Sequence, residues 1–151
     1  MKPTLKISLR PNEKIYINGA VIRADRKVSI ELLNDVQFLL ESHVMQPQNA
    51  SSPLRQLYFI TQVILMSPEE ADDARDLFRK SLPLLLATFR DEQIRAALKY
   101  VDQLVSEGHV YDALKVIRGL YPIEAEILRI RAERPDMPAA TTAPRAIAVG
   151  E

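Results

Sequence analysis

The hydrophobic period of this chain changes once, near residue 52, and that change limits the folds open to it. Up to about residue 42, apolar residues alternate with polar ones. Leu5, Ile7 and Leu9 fall on one parity and Lys6, Ser8 and Arg10 on the other. This is the period of a half-buried strand. Ile15 and Ile17 repeat it and run into Asn18-Gly19, the strongest short hairpin signal. A two-residue turn there sets Ile17 opposite Ala20 and Ile15 opposite Ile22, both pairs on the apolar face. The same parity test favours a three-residue loop at Asp25-Arg26-Lys27, which pairs Ile22 with Ile30. A second loop at Leu33-Asn34-Asp35 then pairs Ile30 with Phe38 and Val28 with Leu40. A one-residue slip would flip every side chain, so parity sets the choice. The expectation is a five-stranded antiparallel meander or small barrel with one apolar face.

From Ser52 the period is helical. Ser52-Pro53 is a cap followed by Pro at the first helical position. Leu54, Leu57, Tyr58, Thr61, Ile64 and Leu65 form one stripe, and Phe59, Ile60 and Val63 flank it. Such a helix suits the centre of a bundle, or an interface with a partner or second copy. Ser67-Pro68-Glu69-Glu70 has the form of a capping box. Pro83 should kink or end the helix that follows. Asp91 can cap the next helix and Gly108 can close it. Two shorter helices are expected near 110–120 and 122–133. The fold class is therefore α+β: a β module over 1–45, a linker over 46–53, and a module of four to five helices over 54–134. Residues 135–151, rich in Pro and Ala and without periodicity, read as a disordered tail.

Composition narrows the chemistry. The chain has no Cys, which removes disulfides, thiol nucleophiles and Cys-ligated metals. Its two histidines, His43 and His109, are far apart in sequence and have no supporting cluster, so a structural role is expected for each. The four glycines stand singly and form no phosphate loop. The acidic run Glu69, Glu70, Asp72, Asp73 and Asp76 crowds one helix start, where it complements the helix dipole. No nucleophile elbow is present. The expectation is a protein that is not an enzyme and takes no cofactor. No apolar run approaches the roughly 18 residues of a membrane span, and the N-terminus lacks a signal-peptide core. A soluble cytoplasmic protein is expected.

Twenty basic and 20 acidic residues give a net charge of zero, but not evenly. Residues 1–30 hold seven basic residues against Glu13 and Asp25, an excess that the rest of the chain cancels. In the meander, Lys6, Ser8, Arg10, Lys14, Tyr16, Arg23 and Lys27 share the outward parity. The Asn-Gly register sets Lys14 opposite Arg23, and like charges so placed repel. An anion lying across them relieves that repulsion, and Tyr16 between them offers a ring for a base to stack on. The candidate RNA-binding residues are thus Lys6, Arg10, Lys14, Tyr16, Arg23 and Lys27. The same residues also fit a solvated face that discourages edge pairing, or a face covered by the helices.

The segment KISLRPNEKIYINGAVIRADRKVSIELLNDVQFLLESHVM, followed by SPLRQLYFITQVILMSP, closely resembles the flagellar biosynthesis repressor FlbT family of alphaproteobacteria. The resemblance spans about residues 3–133. It implies a post-transcriptional regulator acting on the 5′ untranslated region of flagellin mRNA, most often as a repressor. It also implies functional coupling to a companion protein, FlaF. An alternative is a protein-interaction or chaperone-like module that binds flagellin or FlaF and acts on the mRNA indirectly. The strand module is similar, more weakly, to the carbon storage regulator family of RNA-binding proteins. There the turn after the first strand reads Gly-Glu; here it is Pro11-Asn12-Glu13. That family uses basic residues on its first and last strands. Arg10 matches one first-strand position, Leu9 stands at the other, and the last strand, Val36-Gln37-Phe38-Leu39-Leu40, has no Arg. The outward face of the first three strands is therefore the better expectation for RNA. That family is also an intertwined dimer, which leaves a homo-oligomer open for this chain.

Overall fold

The Asn18-Gly19 hairpin forms with the register that the pattern requires. Strand β2 (Lys14–Ile17) pairs antiparallel with β3 (Ala20–Arg23), with Ile17 opposite Ala20, Ile15 opposite Ile22 and Lys14 opposite Arg23. Asn18 and Gly19 have φ of 49° and 86°, the positive values of a type I′ turn. The fold comes from a computed structural model and is described for residues 5–34 and 36–133. The segment expected as a tail lies outside these residues.

Beyond that hairpin, the continuous meander does not form. Strand β4 (Val28–Leu32) pairs with β1 (Leu5–Leu9), setting Ile7 opposite Ile30. Strand β5 (Phe38–Leu40) pairs with the free side of β2, setting Ile15 opposite Leu40 and Ile17 opposite Phe38. The strands make two small sheets, β1–β4 and β3–β2–β5. The expected pairs Ile22–Ile30, Ile30–Phe38 and Val28–Leu40 are absent. Parity was kept and the partner changed, because parity constrains which face a side chain takes and not which strand lies alongside. The exchange has a physical gain. A flat one-faced meander needs an external cover, whereas two sheets cover each other. Ile7, Leu9, Ile15 and Phe38 are buried in a core of their own.

The helices follow their local signals closely. Helix α1 (Pro53–Met66) is capped by Ser52, whose side chain accepts from the Arg55 amide. Helix α3 (Glu92–Ser106) is capped by Asp91, which accepts from Ile94 N at 2.9 Å. It ends where Gly108 takes φ 85°, with Gly108 N donating to Val105 O and His109 N to Leu104 O. That bond pair is the Schellman closure. Helices α4 (Val110–Gly119) and α5 (Tyr121–Glu133) complete the module. Leu54, Leu57 and Tyr58 of α1 are almost fully buried among the other helices.

One local expectation fails and another is narrowed. Ser67 makes no side-chain cap bond, because Pro68–Glu70 forms a 3-10 turn before α2 (Ala71–Thr88) begins. Pro83 does not end α2, which runs through it to Thr88. Pro83 is exposed, so its ring projects into solvent. At the far end, Arg95 Nη1 donates to the carbonyls of Leu86 and Phe89, which the end of α2 leaves open.

The two modules interlock through particular side chains. Leu39 of β5 is buried within the helical core. Phe38 stacks on Tyr111 of α4 with ring centres 4.5 Å apart. The Gln37 side-chain oxygen accepts from Val110 N and Tyr111 N, at 3.1 and 3.2 Å, and so caps α4. Gln62 of α1 exchanges two hydrogen bonds with the Met45 backbone.

Candidate nucleic-acid interface

The hairpin has an anchored end and a free end. At the turn, a Cβ added to Gly19 would lie 2.9 Å from Pro68 Cγ, so the tip rests against the start of α2. At the other end, Ala24 N donates to Glu13 O and Asn12 N donates to Ala24 O. This draws the turn after β1 against the loop after β3, with Asn12 at φ 67°. Arg10, Lys14, Arg23, Arg26 and Lys27 lie on the chain segments that meet at this corner.

Two of these cations are offset locally. Arg10 lies 3.8 Å from Glu13, and Arg26 lies 3.4 Å from Asp25. Lys14 and Arg23 face each other across the hairpin, and neither forms an ion pair among the described residues. Lys27 is exposed in the loop between β3 and β4. The Glu41 side chain accepts from Lys14 N at 2.9 Å, which sets one carboxylate beside the pair. Tyr16 is half-buried on the same face, in register with Val21 and with the buried Leu39. The helical core thus takes in Leu39 on one side of the face, while Arg23 is exposed and Lys14 half-buried.

Lys6 does not belong to this cluster. It lies on the other sheet, opposite Glu31. Ser8 and Ser29 continue that outward face, so the face is mixed in charge. The single basic sheet face expected from parity is therefore corrected to a basic corner without Lys6.

A second polar cluster lies where the modules meet. A cavity of about 500 Å³ is lined by the segment after β5 and by α1, α4 and α5. Arg55 of α1 lies over the Tyr121 ring, 4.2 Å from its centre. Arg118 of α4 donates to Tyr58 Oη at 3.0 Å, and Tyr58 Oη donates to His43 O at 2.6 Å. The two tyrosine rings are 6.1 Å apart. His43 Nδ1 and Tyr121 Oη are buried without a hydrogen-bond partner among the described residues. Burial, then the Arg118 charge, pushes the His43 imidazole below its usual range. Burial pushes the Tyr121 phenol far above its own.

Glu124 of α5 braces this cavity from behind. It is almost fully buried and accepts from Ser52 Oγ at 2.6 Å and from Leu54 N at 2.7 Å. A carboxylate at the N-terminus of α1 complements the dipole of that helix. Burial nevertheless raises its pKa, more than the Ser52 and Leu54 hydrogen bonds and the Arg55 charge lower it.

The family model for flagellar protein FlbT matches residues 5–128, across both modules. A Mesorhizobium japonicum protein described as a probable flagellum biosynthesis repressor protein FlbT is 63% identical over 150 residues, covering 99% of this chain and 98% of that one. A Chelativorans protein of the same description is 66% identical, covering 85% of this chain and 88% of its own. One from Rhizobium johnstonii is 59% identical, covering 91% and 92%. This chain belongs to the FlbT family. No solved structure matches it.

For this FlbT chain, β1 and β5 find their partners, β4 and β2, within the chain itself. Among the described residues there is no group of three or more His, Asp or Glu placed to hold a metal ion. None of their helices is long and apolar enough to cross a membrane. No motif in the sequence points to the cavity. Arg55 and Tyr121 sit on helices 66 residues apart, and no short motif joins them. The one available signal was Glu124, an acidic residue in a helix whose surroundings are apolar.

Proposed function

We propose that this FlbT protein is a post-transcriptional repressor of flagellin expression that binds the 5′ untranslated leader of flagellin mRNA directly. The names of its relatives support a repressor role in flagellum biosynthesis. The observation that carries the RNA contact is the Lys14–Arg23 pair, two like charges fixed opposite each other by the hairpin register. A phosphate between them exchanges repulsion for attraction. Arg10, Arg26 and Lys27 extend the corner, and Tyr16 offers a ring edge beside it. Bound leader would occlude ribosome entry, a cytoplasmic role that needs no catalysed reaction.

A titration with a flagellin leader RNA at two salt concentrations tests the reading. Wild type should bind, and Lys14→Ala/Arg23→Ala should bind more weakly. The slope of log affinity against log salt should become shallower by about 0.7 for each lost phosphate contact. No leader binding by the wild type overturns the reading. Equal affinity and slope in the variant overturn the site assignment.

A second reading is favoured by one observation. β3 is an edge strand, and its Val21 and Ile22 are 59% and 46% exposed. An exposed apolar edge suits an added strand from a protein partner such as flagellin or FlaF. Co-purification of such a partner without leader binding selects that reading.

A further inference from the structure

We propose that the cavity between the modules binds a single nucleotide, with its phosphate held by Arg55 and Arg118. The proposal rests on the RNA reading above, in which that nucleotide is one unpaired residue of the leader.

Three observations point to this ligand class. First, Arg55 and Arg118 form no ion pair among the described residues, although both line one cavity. Each is held by an aromatic partner instead: Arg55 by the Tyr121 ring and Arg118 by Tyr58. Their planar donor arrays are thereby oriented before any anion arrives, the arrangement that suits phosphate. The buried Glu124 carboxylate is near enough to act on Arg55, but its two oxygens are already used by Ser52 and Leu54. Second, the cavity is far larger than an inorganic anion requires and lies within the range of small-molecule sites. Gln48 and Asn49 line it and supply amide donors and acceptors of the kind that read base edges. Third, the buried Nδ1 of His43 and hydroxyl of Tyr121 lack partners among the described residues. Buried polar atoms are normally satisfied, and a ribose hydroxyl or base edge would satisfy them. The guanidinium of Arg55 lies over the Tyr121 ring, and such cation–aromatic pairs also form with a nucleic-acid base.

The chemistry fits a free nucleotide as well as a nucleotide within RNA, and the test separates them. Calorimetric titrations of the full chain would use the four nucleoside 5′-monophosphates, the matching nucleosides and inorganic phosphate, followed by the leader RNA. Wild type, Arg55→Gln and Arg118→Lys would be compared, with thermal melts to confirm folding. Arg55→Gln leaves the Arg118–Tyr58 bond in place and guards against a folding artefact. At least one monophosphate should bind, at least about tenfold more tightly than its nucleoside or phosphate alone. Each substitution should weaken it by about tenfold or more, as expected for loss of a charged hydrogen bond. Competition between that monophosphate and the leader RNA supports both this inference and the RNA reading. Variant-sensitive monophosphate binding without any leader binding keeps the site, assigns it to a free nucleotide, and removes the RNA reading. Leader binding with no monophosphate binding overturns the inference alone. Monophosphate binding of equal strength in folded variants also overturns it, because the ligand then sits elsewhere.

Discussion

The basic corner and the inter-module cavity, the two contacts proposed for an anionic ligand, differ in how their cations are held. At the corner, the backbone register sets a half-buried Lys14 against an exposed Arg23, and among the described residues no aromatic ring or hydroxyl holds either. In the cavity, Arg55 and Arg118 are half-buried and fixed by tyrosines. Solvated charges act at long range, respond strongly to salt and discriminate weakly. Desolvated, oriented charges act only at contact and discriminate by shape. Under the two proposals, one FlbT chain divides attraction from selection between two sites. The strength of each depends on its surroundings rather than on the count of cations.

The largest expected effect attacks the cavity through its support. Glu124→Ala leaves Ser52 Oγ and Leu54 N without their buried acceptor. It should cost about 3 kcal/mol in chemical denaturation. The corner, which Glu124 does not touch, should keep its register. Glu124→Gln keeps the shape and one acceptor while it removes the charge and the second acceptor. The folded pKa of Glu124 lies above its unfolded value, so folding favours its protonated form. That contribution is complete below the unfolded value of about 4.5 and is lost as pH rises through the raised folded value. The stability of wild type relative to Glu124→Gln should therefore fall as pH increases from about 4.5. A constant difference would mean that the carboxyl titrates alike in both states.

The next effect attacks the corner through its anchored end. Gly19→Ala forces a side chain into φ 86° and against Pro68. It should destabilise the chain by about 2 kcal/mol. Leader affinity should fall while the cavity is unaffected. If both sites weaken together, the hairpin and the cavity are one cooperative unit and the contrast between them collapses.

These two residues also show what a sequence can disclose. Gly19 was legible because its turn is encoded by two adjacent residues. Ser52, Asp91 and Gly108 were legible for the same reason: each cap depends on a few neighbouring backbone groups. The β1–β4 and β2–β5 pairings were not, because alternation gives every strand an apolar parity and names no partner. Ser67 had the spacing of a cap, but the following Pro68 and the packing against Gly19 favoured a 3-10 turn. The corner was half legible: Lys14 and Arg23 follow from the turn, whereas the exclusion of Lys6 depends on a long-range pairing. The cavity needed three separated segments, from His43 to Tyr121, to be brought together by the core.

A smaller effect tests how the cavity orients its cations. Tyr58→Phe removes the hydroxyl that accepts from Arg118 and donates to His43 O. Stability should drop by about 1 kcal/mol, the usual net value of such bonds. Monophosphate binding should weaken although no charge has been lost. Unchanged binding would show that Arg118 does not need this bond to be positioned.

The smallest effect has the opposite sign. At the corner, Lys14 and Arg23 repel each other in the protein alone. Removing both in Lys14→Ala/Arg23→Ala should raise stability by a few tenths of a kcal/mol, the scale of cross-strand pairs. The gain should shrink as salt is raised, because screening already weakens the repulsion in wild type. Leader affinity should fall in the same variant, so that stability and binding move in opposite directions. That opposition distinguishes a binding site from a merely solvated face. A face that serves solubility alone would show the small stability change without the loss of RNA. A variant that is destabilised instead would mean that the long side chains contribute packing through their stems, and the corner would then be part of the fold before it is part of any interface.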